Sequence, residues 1–168
     1  MARTDFILTI VNVTGESRGE PQNTSIDILS WRWAATSPRQ IGANMGLHAG
    51  GKVSMDDFVF KMHTNNASPH LMYAMATNQK IPKATLECRK AGPRSREEVY
   101  LKYVLEDVYV VSYRPTGDME SATGGGNVIP VEEFTLGFGK IAMEYRPQNE
   151  DGSLGGAIFK EWDLNLNR

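Results

Sequence analysis

The sequence predicts a mainly β protein: one bent-strand β-barrel of two packed antiparallel sheets, with a single short α-helix flanking it near residues 68–80. Three observations point there. Apolar residues recur with period two along most of the chain. That alternation slips by one residue at four places. Only one stretch carries the start, stripe and stop of a helix.

In chain order, Phe6, Leu8 and Ile10 alternate with smaller or polar neighbours. Ile26 and Ile28 share one parity, whereas Leu29, Trp31 and Trp33 share the other. Val53 and Met55 give way to Phe58, Phe60 and Met62 across Asp56-Asp57. Ala84, Leu86 and Cys88 face one way, with Thr85, Glu87 and Arg89 on the other side. Val99, Leu101, Tyr103 and Leu105 form a further row, which yields to Val108 and Val110 across Glu106-Asp107. Phe134, Leu136 and Phe138 yield to Ile141, Met143 and Tyr145 across Gly139-Lys140. β-branched and aromatic residues dominate these runs. A strand that keeps one face on a core must absorb each slip with a bulge or a sharp bend. Repeated bends suit a closed or nearly closed barrel, whose corners need them. The plainer alternative is two short strands at each slip.

The helix is expected from Ser68, which can cap, and Pro69, which fits the first helical position. Leu71, Met72, Met75 and Ala76 make the stripe, and Asn78 and Pro82 stop it by Lys80. Such a helix plugs one end or flank of a barrel. Loops are expected over Gly15–Asn23, Ser37–Gly51, Ala91–Arg96, Thr116–Asn127 and Pro147–Gly156. The second is long for a hairpin and rich in glycine, which suits a working loop.

A chain of 168 residues is read as one domain over residues 1–168, with enough chain for a sizeable core. Hydrophobic residues make up 40% and charged residues 23%, so wholesale disorder is excluded. Eighteen Lys and Arg stand against twenty Asp and Glu, a net charge of −2. A duplex-binding or membrane-surface protein usually carries a basic excess, so no nucleic acid partner and no membrane insertion are expected. Cys88 is the single cysteine, so neither an intrachain disulfide nor a cysteine-based zinc site can form. No signal peptide is expected, because the apolar run from Phe6 to Val13 is short and broken by Thr9 and Asn12.

No reactive constellation stands out. Gly46 to Lys52 spells G-x-x-x-x-G-K, but Val53 stands where a phosphate loop needs Ser or Thr, and a strand pattern follows instead of a helix. His48, His63 and His70 lack metal-ligand spacing. Asp56-Asp57 and Glu106-Asp107 are neighbours whose side chains point to opposite faces of a strand, so each pair reads as a bulge marker. No enzyme activity, cofactor or metal is expected. In Trp31-Arg32-Trp33 both indoles share one face, so Arg32 looks out through the barrel wall.

Several stretches resemble the haemolysin co-regulated protein (Hcp) family, the tube protein of bacterial type VI secretion systems. Gly15-Glu16-Ser17 with Ile26-Asp27-Ile28-Leu29-Ser30-Trp31-Arg32-Trp33 is similar to its N-terminal signature. Gly51-Lys52-Val53-Ser54-Met55-Asp56-Asp57 then Phe60 resembles its G-K-V-x-x-x-D block. Ala67-Ser68-Pro69-His70-Leu71-Met72 resembles the start of its helix, and Ile81-Pro82-Lys83-Ala84-Thr85-Leu86 the strand that follows. Glu144-Tyr145-Arg146-Pro147-Gln148 and Trp162-Asp163 continue the match. Many relatives have a small residue between the two tryptophans, where this chain has Arg32.

The resemblance implies a six-membered ring of identical subunits. Rings would stack into a tube inside a contractile sheath, tipped by a spike protein, with effectors carried in the lumen. The protein would be cytoplasmic before firing and secreted afterwards without a cleaved signal peptide, and no further domain is expected after Arg168. Arg32 is the candidate for facing the lumen. Gln40, Ile41, Asn44, Met45, Leu47 and His48, in the long loop, are the candidates for stacking rings. The alternatives are a phage tail-tube-like protein, a small-ligand-binding β-barrel, whose cavity the large apolar residues here would fill, and a nucleotide hydrolase using Gly46–Lys52.

Overall fold

A computed structural model of the chain describes residues 5–17, 24–37, 53–91, 97–117 and 129–168. Its elements are β1 (Asp5–Ile10), β2 (Ser25–Ile28), β3 (Ser30–Arg32), β4 (Ala35–Thr36), β5 (Ser54–Met55), β6 (Phe58–His63), α1 (Ala67–Ala76), β7 (Ile81–Ala91), β8 (Glu97–Thr116), β9 (Val131–Gly137), β10 (Lys140–Tyr145) and β11 (Ile158–Asp163). The mainly β expectation holds, and among the described residues every strand pairing is antiparallel.

Two sheets share one strand. The first runs β2-β1-β7-β8-β10-β11, and the second runs β3-β6-β9-β8. The first half of β8 pairs with β7 and β10, and its second half pairs with β9. β4 and β5 form a separate two-stranded ribbon.

The four parity slips are the corners where the chain leaves one sheet for another. Leu29 separates β2 in the first sheet from β3 in the second, and its N–H donates to the Lys61 carbonyl at 2.7 Å. Asp56-Asp57 separates the ribbon from β6. Phe138-Gly139 separates β9 in the second sheet from β10 in the first. These three are breaks between short strands, the plainer of the two expectations. Only Glu106-Asp107 is a bend inside a continuous strand. There Asp107 takes a φ of 53°, and Leu105 and Val108 are both buried despite their opposite parity. A residue with positive φ re-aims the strand, as a corner between sheets requires. A further irregularity at Val110–Ser112 leaves Val111 exposed. The barrel is not closed by a hydrogen-bonded ladder, because β2 and β3 are successive stretches of chain and not partners.

The core lies between the sheets. Phe58, Phe60 and Phe134 are fully buried, with Leu8, Ile26, Leu86, Leu105 and Leu136 around them. Phe58 stacks on Trp33 at 5.4 Å between ring centroids and 5° between planes. It also meets Trp31, Phe60, Tyr103 and Phe138 within 6.1 Å. Both indoles thus face inward, as their shared parity predicts. Cys88 is buried beneath them, and burial pushes its thiol up to about 11, a shift opposed only by the hydrogen bond from Trp31.

The helix covers one flank, with Ala67, Leu71 and Ala74 buried against the core. It starts one residue before the expected 68 and ends four before 80. Ser68 is not the cap. The cap position is Asn66, which makes no side-chain cap, and the Ala67 N–H donates instead to Asn65 Oδ1 at 2.8 Å. Ser68 instead accepts from the Asn65 N–H at 3.0 Å and donates its hydroxyl to Glu132 Oε2 at 2.7 Å. Asn78, with a φ of 49°, turns the chain out of the helix.

Gly15 is required by close approach. A Cβ there would stand 2.0 Å from the Ser25 carbonyl oxygen, the same atom that accepts the Ser17 N–H at 3.0 Å. Gly15→Ala is expected to lower stability by about 1–3 kcal/mol, the usual cost of forcing atoms into filled space. Thermal unfolding of the two proteins side by side checks this.

Candidate interaction surface

Register, more than proximity in sequence, builds the outward face of the second sheet. Arg32 pairs with Val59, Val59 with Thr135, and Thr135 with Ser112, so these four side chains form one row across β3, β6, β9 and β8. The next row is Ser30, Lys61, Glu133 and Arg114. The row beyond is His63, Val131 and Thr116. Core-facing residues alternate with these along every strand: Trp31, Phe60, Phe134 and Tyr113 point the other way.

Arg32 is exposed on the face opposite the half-buried tryptophans. It borders a recess whose lining includes Trp33, Asp56, Asp57, Val59 and Thr135. Lys61 lies 3.9 Å from Glu133. Among the described residues, neither Arg32 nor Arg114 has an ion-pair partner within 4.0 Å. Burial, and then the neighbouring charge of Asp56, raise the Asp57 carboxyl above its ordinary value. Ser112 donates to Thr135 at 2.8 Å, joining two hydroxyls across β8 and β9.

On the core side of β9 sits a residue that the sequence reading missed. Glu132 is 2% exposed, and its carboxylate accepts from Thr64 Oγ1 at 2.9 Å, Ser68 Oγ at 2.7 Å and Tyr113 Oη at 2.7 Å. It ties the helix to both β8 and β9. Burial and this carboxylate together push the Tyr113 hydroxyl up to about 12. The signal was present, since Glu132 has the parity of Phe134 and Leu136 in a strand whose other face is polar.

The first sheet ends in a ribbon whose apolar side chains stay uncovered. Met143, Tyr145, Ile158 and Phe159 of β10 and β11 are all exposed. A recess of about 340 Å³ opens where this ribbon meets Trp33, Met55 and Tyr103. Among the described residues, β11 pairs with β10 alone.

The remaining sequence candidates are placed as follows. Gln40, Ile41, Asn44, Met45, Leu47 and His48, and the whole Gly46–Lys52 stretch, lie outside the described residues. His63 ends β6 and His70 lies in the helix, and both are exposed. Among the described residues, no three of His, Cys, Asp and Glu are grouped to hold a metal, and no helix is long and apolar enough to cross a membrane.

The described residues thus build two sheets with a polar outward face on one and an uncovered apolar ribbon on the other. Comparison with known proteins gives the family. The family model described as type VI secretion system effector, Hcp, matches residues 7–145, and the chain belongs to that family. It is 32% identical to Protein hcp1 of Pseudomonas aeruginosa over 164 residues, covering 97% of this chain and 96% of that one. A solved structure described as a type six secretion system protein superposes with a TM-score of 0.86 at 26% identity, covering 99% of both chains. Hcp1 from Salmonella typhimurium superposes with a TM-score of 0.75 at 32% identity, covering 100% of this chain and 99% of that one. The protein is accordingly a type VI secretion component.

Proposed function

We propose that this chain is one subunit of the inner tube of a type VI secretion system. It works as a single unit over its whole length. Six copies form a ring, rings stack into a tube, and contraction of the surrounding sheath drives the tube out behind a spike protein. The subunit waits in the cytoplasm, leaves with the tube, and works through its surfaces with no catalytic step. The observation that carries this reading is the match to Protein hcp1 over nearly the full length of both chains. The uncovered apolar ribbon of β10 and β11 agrees with it, since a ring requires a face of one copy to meet a different face of the next. Gln40, Ile41, Asn44, Met45, Leu47 and His48 stack one ring on another in this reading, and Arg32 faces the lumen.

Negative-stain imaging of the purified protein tests it: annuli of uniform diameter are expected, and a protein that stays monomeric at high concentration overturns it. Arg32→Asp is expected to leave the rings intact and to reduce the effector protein that co-purifies with them by about tenfold or more, the scale of one reversed charge at a contact. Unchanged cargo retention would remove Arg32 from the lumen.

A further inference from the structure

We infer that residues 146–157, the turn between β10 and β11, form a two-position strap whose catch is Lys90, contested by Gln148 of the strap and Glu98 of the sheet. Register places Lys90 of β7 directly opposite Glu98 of β8. Side chains so paired start about 4.5–5.5 Å apart at Cβ, so ammonium and carboxylate can reach each other. They do not meet. The Lys90 ammonium donates instead to Gln148 Oε1 at 3.0 Å and stands 5.0 Å from the centre of the Tyr100 ring. Glu98 is left with no ion pair among the described residues, and its Oε2 is buried without a hydrogen-bond donor. A buried carboxylate oxygen in that position destabilises the arrangement that leaves it so.

The strap lies against a polar recess of about 470 Å³ whose lining includes Glu87, Glu98, Lys102, Glu144, Arg146 and Leu154. The other charges there have partners. Glu87 meets Arg89 at 2.6 Å, and Glu144 meets Lys102 at 3.5 Å and Arg146 at 3.2 Å. Lys90 is thus the cation that register offers to Glu98, and the strap draws it away. The strap is held together from within. Gln148 Nε2 donates to the Gly152 carbonyl at 3.0 Å, the Asn149 N–H to the Ser153 carbonyl at 2.9 Å and the Gly155 N–H to the Pro147 carbonyl at 2.8 Å. It can therefore move as one piece, with half-buried Leu154 as its foot in the recess. Lifting it breaks the Lys90–Gln148 bond and the Leu154 contact, and it frees Lys90 to pair with Glu98. A bond from an ammonium to a neutral amide is exchanged for an ion pair of similar strength, so both positions are populated. The exposed Tyr145–Ile158 pair bounds the strap, so its position sets what the end of the apolar ribbon presents. The device belongs to the single chain and rests on no assembly.

The test labels the foot of the strap. Leu154→Cys is carried in every full-length protein compared, and the neutral reagent N-ethylmaleimide is used. Cys88 is buried and supplies only a slow background. When the strap lifts and settles faster than it is labelled, the rate follows the lifted fraction. Gln148→Ala is expected to speed labelling about tenfold, the scale of one hydrogen bond to a charged group. Glu98→Gln is expected to slow it severalfold, because the partner that competes for Lys90 is gone. Loss of a nearby negative charge would by itself favour the thiolate and speed labelling, so slowing reads the strap. With Lys90→Met in place labelling is expected to be fast, and Glu98→Gln no longer to change it. Unchanged or faster labelling in Glu98→Gln, a Glu98→Gln effect that survives Lys90→Met, or parental labelling in Gln148→Ala would each overturn the proposal. Particle size is recorded on the same samples: the tube reading is judged by that size, and the strap by the rates.

Discussion

Phe58→Ala is expected to cost about 3–5 kcal/mol of folding free energy, the range for deleting a buried phenyl ring. Phe58 is fully buried and meets Trp31, Trp33, Phe60, Tyr103 and Phe138. Its removal takes away hydrophobic transfer energy and also opens a hole that five rings cannot all move to fill. The loss is a large fraction of the roughly 5–15 kcal/mol that holds a typical domain folded. Chemical denaturation followed by tryptophan emission reads it directly, since two of those rings are the reporters. Tyr73→Ala, at a position 63% exposed on the helix, serves as the comparison and should fall within about 0.5 kcal/mol of the parent. If both substitutions cost the same, the aromatic cluster is not the centre of the core.

Glu132→Ala is the second large effect. The substitution strips three hydroxyls of their acceptor at once, and buried Ser68 has little water nearby to replace it. Each lost bond to a charged group is worth about 1.5–3 kcal/mol before relaxation, and the network is expected to lose about 3 kcal/mol in all. Glu132→Gln keeps one carbonyl acceptor and is expected to cost less. The damage should be directional. Hydrogen exchange of helix amides from Leu71 to Ala76 should speed up more than that of β1 and β7, because Glu132 is what fastens Ser68 to the sheet. Uniform acceleration across the chain would instead make Glu132 an ordinary core residue.

Much of this architecture can be read from the residues. The period-two rows name most of the strands, and the rows of Phe58, Phe60, Phe134 and Leu136 name the core. The parity slips locate the corners, because a chain that changes sheets must change which side faces inward. Their form was less legible. Whether a slip is a break or a bend depends on which strand takes up the ladder next, and pairing lies outside any local pattern. Asp107 holds a positive φ as a bend inside β8, whereas the chain breaks at Leu29, at Asp56-Asp57 and at Phe138-Gly139. The helix cap was misjudged by a few residues: Asn65 accepts from the Ala67 N–H, and Ser68, one turn in, accepts from the Asn65 N–H while donating to Glu132.

The candidate surface divides in the same way. Arg32 follows from alternation alone, since it lies between two indoles. Its companions do not. Arg114 reaches the same face only because the irregularity at Val110–Ser112 resets the parity of β8, and Lys61 and Glu133 meet only through register. The stacking candidates from Gln40 to His48 lie outside the described residues, and imaging of rings remains their test.

The 20-residue strand β8 has one more consequence. Because both sheets hang from it, neither can peel away while the other stays whole. A pull along its length loads the β7, β9 and β10 ladders in shear, many bonds together, where a pull across a sheet edge would open them singly. In the tube reading proposed above this strand would act as a tie-rod, and the mechanical strength of the subunit should be highest along that axis.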